Sequence, residues 1–244
     1  MNIIGLTGKA GVGKDTVADA LVELYGFTKY GFADPLYKEV AYSYGVAEFL
    51  FTNRETKELE FAALALENCT ELNFRHAAYQ YCENIGEGPL WRIQEKPRSP
   101  RWLLQVWGTQ YRRAQNPDYW LDKADEFLDR YTGSHEILDA SQRDERLACM
   151  VHEGRVYQDS PGVVITNVRF PNEREWLKGL NGELWHVQRD YTSAVRDTAL
   201  HISEAPLAIL TGDKLFLNCG TKEQVGTGVV LMMQGNHIVN TKGE

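Results

Sequence analysis

Cysteine is scarce in this sequence and is not clustered. The four cysteines, Cys69, Cys82, Cys149 and Cys219, stand far apart and form no Cys-x-x-Cys pair. A disulfide framework needs paired cysteines in a small secreted chain, and a zinc site needs ligands at short spacing. The pattern therefore predicts reduced thiols and argues against a disulfide-stapled or zinc-bound fold.

Long apolar runs and an excess of positive charge are also missing. No stretch stays apolar over the about 20 residues that a membrane-spanning helix needs. The first residues run directly into a glycine-rich loop and not into a secretion signal. A net charge of −8 argues against a surface that wraps nucleic acid, although a few focused arginines can still bind phosphates. We expect a cytoplasmic protein with no membrane and no nucleic-acid partner.

The remaining composition is that of a folded domain without internal repeats. Hydrophobic residues make up 43% and charged residues 25% of the 244 positions. A chain of this length and composition can bury a sizeable core. We expect residues 1–244 to form one α/β domain with insertions.

The most informative stretch lies at the start of the chain. Apolar residues 3–6 are followed by glycine-rich sequence and then by a helical pattern. A glycine, four residues and then Gly-Lys is the spacing of a phosphate-binding loop. Glycines let backbone amides converge on an anion, the helix N-terminus adds partial positive charge, and Lys14 can reach the β- and γ-phosphates. The predicted nucleotide contacts here are Gly8, Gly11, Val12, Gly13, Lys14, Asp15 and Thr16.

One position departs from this pattern. The hydroxyl residue that normally follows the lysine and contacts Mg²⁺ is replaced by Asp15, and Thr16 comes one position later. Gly-Lys-x-Thr resembles the loop of adenylate-kinase-like nucleoside monophosphate kinases more than that of GTPase switches. We expect Mg²⁺ near Asp15 and Thr16, and the direct metal ligands stay open.

Helical and strand patterns alternate along the rest of the chain. Asp34 as N-cap and Pro35 at the first position predict a helix that ends at Gly45. Residues 163–166 predict a buried parallel strand, and residues 215–218 predict the last strand. Between residues 46 and 98 a change of composition predicts an inserted helical subdomain, with helices at 54–66 and 74–82 and a loop at 86–97. Residues 133–160 predict an insertion or an extra lid, and the apolar residues 229–233 stay unplaced.

Arginines supply the other chemically promising positions. Arg101 and Gln105 stand four apart on a helix opened by Ser99-Pro100, so they share a face. An arginine there can fork onto a phosphate, while the glutamine amide can bond to a base edge; a solvated helix face is the alternative. Arg169 follows strand 163–166 at its carboxyl end, where α/β sheets bind ligands; a surface salt bridge is the alternative.

Several motifs occur in an order that resembles one family. They are Gly13-Lys14-Asp15-Thr16, Ala33-Asp34-Pro35, Asn53-Arg54-Glu55-Thr56, Ser99-Pro100-Arg101 with Gln105 and Gly108-Thr109, Tyr119-Trp120, Val168-Arg169-Phe170-Pro171-Asn172-Glu173 and His201-Ile202-Ser203-Glu204. Together they are similar to the bacteriophage deoxynucleoside monophosphate kinases, and the resemblance covers most of the chain up to about residue 218. It implies a P-loop NTPase fold, with a central parallel sheet flanked by helices and an inserted helical subdomain for the monophosphate.

The resemblance also implies ligands and roles. ATP and Mg²⁺ would bind at the loop, Arg189 would contact ATP, and residues 189–204 would form a lid. Lys14, Arg54, Arg101 and Arg169 would be catalytic. The deoxynucleoside monophosphate would contact Asp34, Lys38, Arg54, Arg101, Gln105, Thr109, Trp120, Asn167 and Arg169. Assembly into a homodimer is left open. Two features depart from the family: Asn167 stands where an aspartate is usual, and segment 133–160, with Arg143 and Arg146, is longer than expected.

Two rival functions stay open from the sequence. A kinase that acts on dephospho-coenzyme A has a hydroxyl acceptor and needs a carboxylate base, for which Asp34 is the candidate. A GTPase-type switch would explain Asp159-Ser160-Pro161-Gly162 as an Asp-x-x-Gly pattern, but no Asn-Lys-x-Asp guanine signature accompanies it.

Overall fold

The structure is a computed structural model that describes residues 2–136, 162–189 and 207–241, with side chains up to residue 131 in the first range. The chain divides into a sheet unit, Met1–Phe32 with Ala124–Glu244, and a helical unit, Ala33–Lys123. Segment 133–160 lies outside the described residues beyond Glu136, as do Arg143 and Arg146, and so does segment 189–204 beyond Arg189.

A six-stranded parallel sheet forms the centre of the sheet unit. Its strands are β1 (Asn2–Thr7), β2 (Thr28–Gly31), β3 (Gly162–Thr166), β4 (Glu183–Gln188), β5 (Lys214–Leu217) and β6 (Ile238–Asn240). Their order is β2-β3-β1-β4-β5-β6, and each of these pairings is parallel. Because β1 has β3 on one side and β4 on the other, its carboxyl end is a topological switch point, where α/β sheets bind ligands.

Helices cover both faces of this sheet, so the predicted α/β class with a helix-flanked parallel sheet is confirmed. Helices α1 (Lys14–Tyr25) and α9 (Lys222–Met233) pack together against Leu6, Trp185 and Phe216 on one face. Neighbouring residues of a strand point to opposite faces, and Leu177 of α8 (Pro171–Gly179) covers the Cα of Gly5 on the other. The apolar residues 229–233 belong to α9, where Val229 and Met232 are buried in the core.

The helical unit is built from short helices. They are α2 (Asp34–Tyr44), α3 (Phe49–Thr52), 3₁₀ turns at Ala62–Leu64 and Leu66–Asn68, α4 (Leu72–Asn84), α5 (Leu90–Glu95) and α6 (Pro100–Gln105), which continues as a π-helix at Val106–Arg113. Helix α7 (Tyr119–Glu136) begins in this unit and continues in the sheet unit. Phe51, Phe74, Leu103 and Trp107 are fully buried here and form its core.

Several predicted elements are wrong. Residues 54–66 are not a helix, because local side-chain bonds compete with it: the Asn53 side chain accepts a bond from the Glu55 amide, and the Thr56 hydroxyl bonds the Leu50 carbonyl. Phe61 then forms an antiparallel bridge with Arg98, which holds the backbone extended. The predicted loop 86–97 contains α5, and β6 follows the strand predicted to be last. Asp34 is the first residue of α2 and not its N-cap, which is Ala33.

Among the described residues, no helix combines the length and apolarity that crossing a bilayer requires. The cysteines that the structure describes, Cys69, Cys82 and Cys219, are free thiols.

The buried Arg98 links the segment before α5 to α6 within the helical unit. The Arg98 guanidinium forks onto the Glu87 carboxylate at 2.9 and 2.6 Å and stacks 3.9 Å from the Trp102 ring centre. This pairing with Arg98 lowers the pKa of Glu87 to about 2. Burial raises the pKa of the neighbouring Cys82 thiol to about 11.

Glu87→Gln is expected to flatten the acid limb of the stability curve. A depressed carboxyl pKa stabilises the fold fully above the unfolded value, 4.5, and that stability is lost as pH falls toward about 2. The variant should therefore be less stable at pH 7, and the difference from wild type should shrink between these two pH values. Urea unfolding at a series of pH values measures this; a constant difference would contradict it.

Candidate active site

The glycine-rich loop joins β1 to α1 at the carboxyl end of the central strand. Gly8 and Gly13 have φ values of +141° and +96°, which side-chain-bearing residues rarely adopt. A Cβ at Gly8 would lie 2.2 Å from the Val187 carbonyl oxygen of β4. The loop therefore reaches its conformation only with glycine at these positions, and it sits directly before the N-terminus of α1.

The Lys14 side chain folds back into this loop. Its Nζ donates hydrogen bonds to the carbonyl oxygens of Gly8 and Lys9, both at 2.9 Å, and the residue is only 8% exposed. A buried ammonium at a helix N-terminus attracts an anion. The chemistry of this loop thus fits a phosphate group, which would take over bonds that Lys14 now makes to backbone carbonyls.

Directly after Lys14, Asp15 brings a negative charge to the position where a standard loop has a hydroxyl residue. The Asp15 carboxylate lies 3.6 Å from Lys29 Nζ of β2, and Asp19 lies 3.0 Å from the same nitrogen. In the described ranges no three histidine, cysteine or acidic side chains cluster as a metal site. Thr16 is partly buried in the first turn of α1. With the Asp15 carboxylate close to Lys29, a Mg²⁺ ion at this loop would take its ligands mainly from phosphate and water.

The carboxyl end of β3 carries Asn167 and Arg169. Asn167 has φ +65°, a left-handed conformation that asparagine tolerates better than most residues. The Glu173 carboxylate, 1% exposed, accepts bonds from the amides of Arg169 at 2.6 Å and Phe170 at 3.1 Å. Glu173 therefore caps α8 and fixes the backbone of Arg169. Sequence reasoning missed this role, although proline followed two residues later by glutamate is a helix-start signal.

A buried charge network supports β4 beside the loop. Asp213 accepts bonds from Arg174 at 2.6 Å and His186 at 2.9 Å, and His186 is the register partner of Thr7. Burial lowers the pKa of His186, although Asp213 opposes this effect. The network is a structural support for the strand next to the loop, and no sequence motif indicated it.

Arg101 and Gln105 lie on α6 in the helical unit. The Ser99 hydroxyl oxygen accepts a bond from the Trp102 amide at 3.2 Å, so the predicted Ser-Pro helix start is confirmed. Arg101 pairs with the Glu58 carboxylate, and Gln105 is the last residue of α6. The other polar candidates of this unit, Asp34, Lys38 and Arg54, are exposed.

A π-helix carries Thr109 and is braced by Trp120. The buried Trp120 indole donates to the Gly108 carbonyl oxygen at 3.2 Å. Wide π turns are rare and are frequent at functional sites. With a 3% exposed side chain, Trp120 shapes this turn through its ring N–H and offers little surface for stacking on a base.

Glu39 is a further site-building residue that sequence reasoning missed. Its carboxylate accepts bonds from Trp107 Nε1 at 2.9 Å, Arg112 Nε at 2.8 Å and the Tyr119 hydroxyl at 2.5 Å. It thereby joins α2, the π-helix and the first residue of α7. These elements carry Lys38, Thr109 and Trp120 respectively.

The predicted residues divide between the two units. Gly8, Gly11, Val12, Gly13, Lys14, Asp15, Thr16, Asn167, Arg169 and Arg189 belong to the sheet unit, where Arg189 is exposed directly after β4. Asp34, Lys38, Arg54, Arg101, Gln105, Thr109 and Trp120 belong to the helical unit.

Comparison with known proteins adds one relative. No protein-family model matches the chain. The deoxynucleoside-5′-monophosphate kinase of Escherichia phage T5 is 27% identical to it over 198 residues, which cover 73% of this chain and 72% of that protein. The resemblance to phage kinases is confirmed. The kinase name of this relative fits the structure of the sheet unit, in which a parallel sheet carries a glycine-rich loop and a buried lysine at its switch point.

Glu39→Ala is expected to destabilise the protein by about 1.5–3 kcal/mol, the range for hydrogen bonds to a charged group. The change leaves Arg112 and the Trp107 indole without their acceptor. Urea unfolding measures the loss, and Glu48→Ala, an exposed glutamate of the same unit, is the matched control. Equal stabilities of the two variants would show that the Glu39 contacts contribute nothing.

Proposed function

We propose that this chain is an ATP-dependent kinase that transfers the γ-phosphoryl group to a deoxynucleoside 5′-monophosphate and so forms the diphosphate. The observation that carries the proposal is the glycine-rich loop at the carboxyl end of β1, which encloses the Lys14 ammonium. The name of the phage T5 relative supports the choice of acceptor.

The acceptor chemistry suits the residues at hand. A phosphate monoester has its second pKa near about 6, so the acceptor oxygen is already anionic and needs no general base. The difficulty is to bring two anions together, which requires positive charge around the transferring group. Lys14 and the arginines Arg54, Arg101 and Arg169 supply that charge in this proposal.

In this proposal the sheet unit binds ATP. The loop amides and the N-terminus of α1 hold the β- and γ-phosphates, and Arg189 contacts the ATP. Mg²⁺ held near Asp15 and Thr16 would supply charge neutralisation on the phosphates. The Lys14 ammonium stabilises the negative charge that develops during transfer.

In this proposal the helical unit binds the acceptor monophosphate. Arg101 forks onto the α-phosphate, and Gln105, one turn further along the helix, bonds to the base edge. Arg101 would exchange its surface pairing with Glu58 for the phosphate, which costs little because exposed ion pairs contribute about 0–1 kcal/mol. Thr109, Asp34 and Lys38 complete the polar lining.

A coupled assay that detects ADP tests the proposal. Purified protein with MgATP is offered the four deoxynucleoside monophosphates, their ribose counterparts, dephospho-coenzyme A and DNA, and the products are separated by chromatography. Deoxynucleoside diphosphates are the expected products. Turnover with dephospho-coenzyme A alone would show that the acceptor group is a hydroxyl. Nucleotide hydrolysis without any acceptor would show that the protein is a switch or an ATPase and not a kinase.

A further inference from the structure

The residue after β5 contacts the phosphate-binding loop from a distant part of the sequence. Asn218 is 4% exposed, and its Nδ2 donates a hydrogen bond of 2.8 Å to the Val12 carbonyl oxygen. The same Nδ2 lies 2.1 Å from the place where a Cβ on Gly13 would be. Gly13 must therefore be glycine for the asparagine amide to reach the loop.

The bond from Asn218 fixes the direction of a loop amide. A trans peptide is planar, and its C=O and N–H point in opposite directions. Because the Val12 carbonyl is aimed at Asn218, the N–H of Gly13, which belongs to the same peptide, points away from Asn218. Amides directly before a helix N-terminus are the groups that such a loop offers to an anion.

The asparagine itself is held in place from both sides. Its backbone amide donates to the Gln188 carbonyl of β4 at 2.7 Å. The Thr241 hydroxyl accepts a bond from the Cys219 amide at 2.7 Å and donates to the Leu217 carbonyl at 3.1 Å. Asn218 is thus attached to a rigid strand end, as a residue that positions another group has to be.

The Asn218 side chain is poorly suited to a purely structural role. Its Oδ1 is buried and has no hydrogen-bond partner among the residues that the structure describes. A buried acceptor without a donor costs stability, so an apolar residue would serve packing better. Among the described residues, the side-chain amide of Asn218 bonds to the loop through the Val12 carbonyl oxygen.

We propose that Asn218 is a positioning residue for the phosphate-binding loop: it holds the Val12–Gly13 peptide so that the Gly13 amide faces the phosphates of ATP. This inference rests on the proposed binding of ATP at the loop. It adds a residue that is distant in the sequence to the ATP site, and it explains why Asn218 requires glycine at position 13.

Calorimetric titration with MgATP, in the absence of any acceptor, tests the inference. Asn218→Ala removes the amide, and Asn218→Asp keeps its shape but replaces the donor with a negative charge. Both variants should weaken MgATP binding by about tenfold or more, because a misdirected Gly13 amide loses its charge-assisted bond to a phosphate. The aspartate variant should bind MgATP more weakly than the alanine variant. A packing role alone predicts the reverse order, because aspartate preserves the volume. In the coupled assay, KM for the monophosphate should stay within about twofold of wild type.

Asn236 provides the matched control. Its Nδ2 also donates to a backbone carbonyl, that of Leu231 at 2.7 Å, but Asn236 is exposed and follows the end of α9. Asn236→Ala and Asn236→Asp should bind MgATP as wild type does. Unchanged MgATP binding by both Asn218 variants would overturn the inference, and so would failure of both to fold when the Asn236 variants fold. Absence of MgATP binding by the wild type would instead overturn the proposed function.

Discussion

Lys14→Ala is expected to lower kcat for phosphoryl transfer by about 10²- to 10³-fold, the loss that follows removal of one preorganised electrostatic group. The reason lies in the loop: the Lys14 ammonium is buried among the carbonyl oxygens of Gly8 and Lys9 at the start of α1. The other lysine of the loop, Lys9, is exposed. Steady-state kinetics with saturating MgATP and monophosphate measure the change.

Lys9→Ala is the matched control for this prediction. Lys9 stands in the same loop but is exposed, and the bond from Lys14 goes to its backbone carbonyl, which alanine retains. The control should keep kcat within about threefold, since it removes only a solvated charge. Urea unfolding of both variants separates catalysis from stability. Near-normal turnover by a folded Lys14→Ala protein would remove the loop from the catalytic machinery.

The features that the sequence predicts well are those set by neighbouring residues. The loop requires glycine at Gly8 and Gly13 because of local φ values and close backbone approach, and the Ser99 cap acts within one turn. The buried strand 163–166 is read from its unbroken apolar run, and all five residues of β3 are buried. Local rules carry these predictions.

The features that the sequence does not reveal depend on contacts between distant residues. Glu39 receives donors from positions 68 to 80 residues later in the chain, and Asn218 contacts a loop 206 residues away. Helical composition at residues 54–66 was misleading in part because a bridge to Arg98, distant in the sequence, holds the backbone extended at Phe61. A single sequence contains no local signal for any of these three contacts.

The structure shows the backbone conformation at Asn167, the position that departs from the family pattern. The sequence alone presented it as an aspartate replaced by a residue without charge. The backbone at this position is left-handed, with φ +65°, and asparagine is among the few residues other than glycine that adopt this conformation readily. Backbone geometry therefore permits asparagine here, and it would permit the usual aspartate equally.

Arg101→Ala is expected to raise KM for every deoxynucleoside monophosphate by a similar factor and to lower kcat. Arg101 lies in the first turn of α6, and in the proposed function its guanidinium holds the α-phosphate, which all acceptors share. A charge-assisted contact of this kind is worth about 1.5–3 kcal/mol, or roughly ten- to a hundredfold in kcat/KM. Kinetics on three monophosphates at saturating MgATP measure the effect.

Three further variants make this expectation specific. Glu58→Gln removes the ion-pair partner of Arg101 in the helical unit but keeps the guanidinium, so kcat/KM should stay within about threefold of wild type. Arg92→Ala removes an exposed arginine of α5 and should change nothing. Gln105→Ala should alter the ranking of the bases and leave the KM for ATP unchanged, because its amide meets the base edge and not the phosphate. If Arg101→Ala weakened ATP alone, α6 would belong to the donor site, and the assignment of the acceptor to the helical unit would be wrong.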